Sequence, residues 1–232
     1  MEWEIVDKEL GVITLRQSAK ATRYILKIAN GRIVGVMPRQ GDEKRMLAFI
    51  DEKRESLIKA LQKRPARTPL DESSVLQTNT FRLHIFRTER ENFYMKLEQS
   101  ILHIACPSQT DFTKESVQEI LHDLLGRALL YEAKRVLPGR LRELAVRYKF
   151  MYTGVRISKS KTNWGSCNAG KSVNLSRSLM LLPDHLINYV ILHELCHTRE
   201  MNHSDRFWAL MDSVTGNQAK ALREELKQYH TI

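Results

Sequence analysis

Apolar residues in this chain change their period at Pro107. Before it they recur at alternate positions in short runs, and after it at helical spacing. A strand turns successive side chains to opposite faces whereas a helix repeats every 3.6 residues, so a switch part-way predicts an α+β chain with its strands and helices segregated. The expected organisation is an antiparallel β-rich accessory region with one helix over residues 1–107, and a helical region with a small β-hairpin over residues 108–232.

In the first half, Arg23–Ala29 and Arg32–Met37 flank Asn30-Gly31, a dipeptide that tolerates the two positive φ angles of a type I′ turn, which predicts a hairpin. Met46, Phe49, Ile50, Leu57, Ile58 and Leu61 follow the helical period, so a helix is expected over Asp42–Arg64, closed before Pro65 and Pro69. Three short runs, Phe81–Arg87, Phe93–Leu97 and Ile101–Ala105, predict an antiparallel meander. In the second half, Thr113 is the expected N-cap of a helix reaching about Val136, with Pro138-Gly139 breaking it before a second helix over Arg140–Lys149. A strand over Val155–Ser160 and a hairpin over Ser166–Ser176, turning near Ala169-Gly170, come next. Pro183 fits the N1 position of a helix whose interior runs from Asp184 to about Glu200, because proline there loses no needed N–H bond. Ser204 is the expected N-cap of a helix over Asp205–Val214, and Gln218–Tyr229 forms a last one.

The chain has 232 residues, of which 42% are hydrophobic, enough to build a real core and too many for a disordered chain or a linker. Its three cysteines, Cys106, Cys167 and Cys196, are odd in number and irregularly spaced, and Met1–Leu10 lacks the basic start and apolar run of a signal peptide. A disulfide scaffold is therefore not expected, no apolar run is long enough to span a membrane, and a cytoplasmic location is expected. The net charge is +10, and nine basic residues against one acid lie between Lys134 and Lys161. Such a block is either a solvated helix-and-strand face or a holding surface for a nucleotide or nucleic acid.

Within the Asp184–Glu200 helix lies His193-Glu194-Leu195-Cys196-His197, an H-E-x-x-H sequence. Residues four apart stand one turn above each other, so two imidazoles on one face can share a Zn²⁺ ion. Glu194, beside the first of them, is positioned as a general base towards a metal-held water. A catalytic zinc needs three protein ligands and an open position. His203, six residues after His197 and just past the expected helix end, is the best third ligand. Glu200 and Cys196 are weaker alternatives, since one shares the helix surface and the other lies off the face of the two His. Tyr189 and Arg206 are nearby candidates for stabilising developing negative charge. Trp164-Gly165-Ser166 is read as a wall of the substrate cleft, because glycine lets the backbone approach a neighbour closely and a strand edge can pair with an extended peptide. The alternative is a packed hairpin with a buried Trp. Cys167 as a thiol nucleophile lacks an identifiable base.

Asn163-Trp164-Gly165-Ser166-Cys167, Leu175, Leu179, Pro183, His193-Glu194-Leu195-Cys196-His197, Asn202-His203-Ser204 and Phe207-Trp208 together resemble the YgjP-like zinc metallopeptidases, relatives of the SprT-like and WLM families. Arg16, Ser18, Ala21, Arg23 and Val36-Met37-Pro38 extend the resemblance more loosely upstream. It implies a zincin-like catalytic region, a Zn²⁺ cofactor held by His193, His197 and His203, a catalytic Glu194, and a peptide or protein substrate. The chain departs from the family at Leu175-Ser176, where Leu-Asn is frequent, and at Leu57-Ile58, where Trp-Ile is. The residues leave three other readings: a zinc-dependent nucleotide pyrophosphohydrolase, a nucleic-acid-associated SprT-like protease using the block at 134–161, and a module in which zinc only staples the helix end.

Overall fold

The computed structural model describes residues 2–19, 21–29, 32–62 and 68–231. Its contacts divide the chain into two units, residues 1–68 and 69–232. The first holds a four-stranded sheet built from β1 (Glu2–Asp7), β2 (Gly11–Ser18), β3 (Ile25–Ala29) and β4 (Arg32–Pro38), in the order β1-β2-β4-β3. β3 and β4 pair antiparallel as the sequence predicts, while the Asn30-Gly31 turn itself lies outside the described residues. The expected single helix is two, α1 (Glu43–Glu52) and α2 (Arg54–Gln62), interrupted at Lys53; Pro65, its expected stop, lies outside the described residues. Asp42 caps α1 by accepting the Lys44 N–H at 3.0 Å. Met46, Ile50 and Leu57 from these helices join Ile13, Leu15, Ile33 and Met37 from the sheet in one core.

The second unit opens with β5 (Arg82–Thr88), β6 (Tyr94–Glu98) and β7 (Ile101–Pro107). They do not form the expected meander: the order is β5-β7-β6, with β5 and β7 parallel and only β6 and β7 antiparallel. Leu83, Ile85, Leu102 and Ile104 of this sheet belong to the same core as the helices that follow. That shared burial puts the contact boundary between Thr68 and Pro69 rather than at residue 107, where the sequence period changes.

Helix α3 (Glu115–Arg147) runs unbroken through Pro138-Gly139, where two helices were expected, and starts after Lys114 rather than at a Thr113 cap. Proline removes one helical hydrogen bond, but Leu137 and Leu141 on either side of it are wholly buried, and their packing outweighs that loss. Strands β8 (Gly154–Ser158), β9 (Gly165–Cys167) and β10 (Ser172–Ser176) form a second small sheet, in the order β8-β10-β9. The expected hairpin is the antiparallel β9–β10 pair, and β9 is an edge strand. A 3₁₀ turn (Arg177–Leu181), which periodicity does not reveal, leads to α4 (Asp184–Cys196), α5 (Asp205–Thr215) and α6 (Ala219–Leu226). Pro183 occupies the N-cap of α4 rather than the expected N1 and α4 ends at Cys196 rather than near Glu200, while Ser204 is the N-cap of α5 as expected. No described helix is long and apolar enough to cross a membrane.

Candidate metal centre

Helix α4 is apolar on nearly every side, with Leu186, Ile187, Val190, Ile191 and Leu195 buried, so it runs through the core rather than over its surface. Two of its polar residues, Glu194 and the capping His197, are therefore carried into a buried setting. The chain then turns through Thr198–Ser204, held by the Thr198 hydroxyl donating to the Leu195 carbonyl at 2.7 Å and by the Arg199 guanidinium lying 4.4 Å from the Phe150 ring centre. This turn returns His203 to the two helical imidazoles.

His193, His197 and His203 offer ligand nitrogens that all lie within 4.8 Å of one another. The His193 Nε2 is 3.3 Å from that of His197 and 3.0 Å from that of His203. Three imidazoles whose ring nitrogens converge on one region suit a single metal ion. His197 is oriented for it, because its Nδ1 lies 3.0 Å from the Glu200 carbonyl; a hydrogen bond there puts the proton on Nδ1 and frees Nε2. Glu200, a weaker ligand candidate by sequence, thus serves through its backbone. His193 has no such anchor, since its Nδ1 is buried without a hydrogen-bond partner. Packing holds it instead. The wholly buried Phe207 of α5 contacts all three rings, at 4.9 Å from His193, 4.6 Å from His197 and 4.7 Å from His203 between centroids.

Burial, with the neighbouring imidazoles adding to it, pushes His193 down to about 3, so this ring is neutral and ready to ligate throughout the physiological range. His203 is lowered too, again chiefly by burial. The Glu194 carboxyl is driven the other way, up to about 8, by burial alone.

Gly165 is placed against Glu194. A Cβ on Gly165 would come within 2.7 Å of the Glu194 Cγ and 2.8 Å of its Oε1, so only glycine lets β9 lie so close to the carboxylate. The close approach expected for this glycine is therefore to the candidate base, and it brings the edge strand beside it. Trp164 is half-buried, packs against the core and accepts the Ser176 N–H at 2.8 Å, while Ser166 is exposed on β9. Tyr189 is buried 6.1 Å from the His193 ring, and burial pushes its hydroxyl up to about 12. Arg206 is exposed. Cys167 has its thiol raised by burial and by the Glu194 charge, which disfavours the thiolate a nucleophile needs.

Two neighbours of the centre are absent from the sequence reading of the site. Phe207 appears there only within a motif, and no helical spacing predicts its contact with His203, which lies before the Ser204 cap of α5 rather than on that helix. Arg223 of α6, whose guanidinium lies 5.1 Å from the Trp208 ring centre, has no local signal at all. Of the basic block, Arg135, Arg140 and Arg147 are paired with Glu132, Asp184 and Glu143.

No curated protein matches the chain in sequence. Among solved structures, the metallopeptidase zymogen abylysin of Pyrococcus abyssi is similar, at 20% identity and a TM-score of 0.35 over 40% of this chain and 95% of that one. The model of the YgjP-like family, described as a metallopeptidase domain, matches residues 22–229. With nearly the whole length matched, the chain belongs to the YgjP-like metallopeptidase family.

Proposed function

We propose that this chain is a zinc-dependent peptidase in which His193, His197 and His203 hold the metal and Glu194 is the general base. The observation that carries this reading is the convergence of three imidazoles beside a buried carboxylate at an edge strand. Ligand nitrogens about 2.0–2.1 Å from a tetrahedral zinc stand about 3.3–3.4 Å apart. The separations of 3.3 and 3.0 Å from the His193 Nε2 fit that donor set. When bound, zinc acidifies a water and polarises a carbonyl.

The chain's own residues do the rest. Burial of Glu194 keeps its proton affinity high, and a cation at the imidazoles lowers it, bringing the carboxyl towards a range where it can accept and return a proton near neutral pH. Gly165 sets the position of that carboxylate. The outer side of β9, unpaired in its sheet, supplies backbone groups to which an extended peptide can add as a further strand, past Trp164 and Ser166. Tyr189, buried beside the His193 ring, backs the centre from α4.

Zinc-loaded wild type and Glu194→Gln, assayed side by side on casein and on a nucleoside triphosphate panel, test the reading. Expected are casein cleavage by wild type, retained zinc but at least about a hundredfold loss in the variant, and no triphosphate hydrolysis. Triphosphate hydrolysis without casein cleavage, or full activity in Glu194→Gln, would overturn it.

A further inference from the structure

Arg223 is an exposed cation on α6, mounted on an aromatic ring next to the centre. The indole of Trp208 under it lies 6.0 Å from the His203 ring and meets Phe207, the residue under all three imidazoles, edge-on at 5.4 Å. The field of Arg223 reaches Tyr189, His193 and His203, opposing a positive charge on the two imidazoles. The acids beside it on α6 pair with other cations: Glu224 binds Lys227 at 2.6 Å, feeling the Arg223 charge only as a weaker influence, and Glu225 binds His185 at 2.7 Å. Among the described residues, no carboxylate lies within ion-pair distance of Arg223, and it donates to none of the three imidazoles. A guanidinium over an indole with no described carboxylate in ion-pair distance keeps its fork of donors available, and that fork matches a carboxylate in two-point geometry.

We propose that Arg223 is a specificity-determining residue that binds a substrate carboxylate, so that peptides with an anionic group flanking the scissile bond are preferred. Its contact with the centre runs through Trp208 rather than directly to an imidazole, which suits a flanking group better than the reacting carbonyl itself. The carboxylate is either the free C-terminus of the peptide or an acidic side chain. This inference rests on the peptidase reading for its substrate class, but its test reads binding.

Zinc-loaded protein is titrated calorimetrically with two pairs of probes: N-acetylphenylalanine against its carboxamide, and N-acetylglutamate carboxamide against N-acetylglutamine carboxamide. In wild type, at least one acid probe should bind about ten- to hundredfold tighter than its neutral twin, and the pair that shows the preference identifies the source. Arg223→Ala should abolish the preference and Arg223→Lys should restore it in part. Lys220→Ala, which removes another exposed cation from α6, should leave it intact. Zinc content and circular dichroism confirm that each variant is folded and loaded. The same preference in Arg223→Ala, as expected if zinc alone held the carboxylate, overturns the proposal, and so does its absence from wild type. Loss of casein cleavage with this preference preserved would count against the peptidase reading alone.

Discussion

Replacing Gly165 by alanine places one methyl group where the Glu194 side chain lies. The new Cβ would stand 2.7 Å from Cγ, 2.8 Å from Oε1 and 2.9 Å from Cδ of Glu194, against an ordinary contact of about 3.5 Å. The carboxylate, only 5% exposed, must therefore retreat by roughly 0.7 Å into packed surroundings, or the strand must move away from it. Overpacking of this kind costs about 1–3 kcal/mol of stability. The catalytic consequence is larger, since a misplacement of about 1 Å in a reacting group lowers the rate about a hundredfold. The three imidazoles are untouched, so zinc should stay. Gly165→Ala should therefore keep its metal by mass-spectrometric metal analysis and its fold by circular dichroism, and cleave casein about a hundredfold more slowly. Turnover within about threefold of wild type, in folded and loaded protein, would refute the argument that this glycine positions the base.

Phe207→Leu removes the ring under the three imidazoles; it should lower zinc affinity about tenfold or more in a chelator competition, with unchanged affinity contradicting that packing role. In the first unit, the Arg54 guanidinium, 2.8 Å from the Asp7 carboxylate, holds that carboxyl well below the usual carboxylate range, aided by the backbone N–H groups of Leu10 and Glu9. A depressed folded-state value contributes stability that is present above the unfolded value of about 3.9 and is lost as pH falls through the folded one. Asp7→Asn should accordingly melt a few degrees below wild type at pH 7, and the gap should narrow progressively as pH falls below about 4; a gap constant down to pH 2 would contradict the assignment.

What was legible in the sequence was local. His193, Glu194 and His197 lie within one helical turn, so their spacing alone predicts a shared face, and a turn after the helix was enough to suggest His203. Strands β3, β9 and β10 were readable because hairpin partners are adjacent in the chain. The parallel pairing of β5 with β7 was not, because strand alternation says nothing about which neighbour a strand takes. Pro138 misled for a physical reason: its local preference is to break a helix, and the burial of Leu137 and Leu141 prevails. Gly165 was recognisable as a site of close approach, but that Glu194 is the group approached depends on the packing of β9 against α4. Arg223 lies over Trp208 from a separate helix, a placement that depends on the packing of α6 against α5 and has no local signal in the sequence.

The central claim is that three imidazoles hold one zinc and leave a position open for water. Zinc K-edge X-ray absorption on the purified, zinc-loaded protein tests it most directly. The account predicts one equivalent of zinc with three nitrogen ligands and one oxygen, all at about 2.0–2.1 Å, and loss of that signal in His193→Ala. A fourth protein ligand, such as a sulfur at about 2.3 Å, or a native protein that binds no zinc, would contradict it.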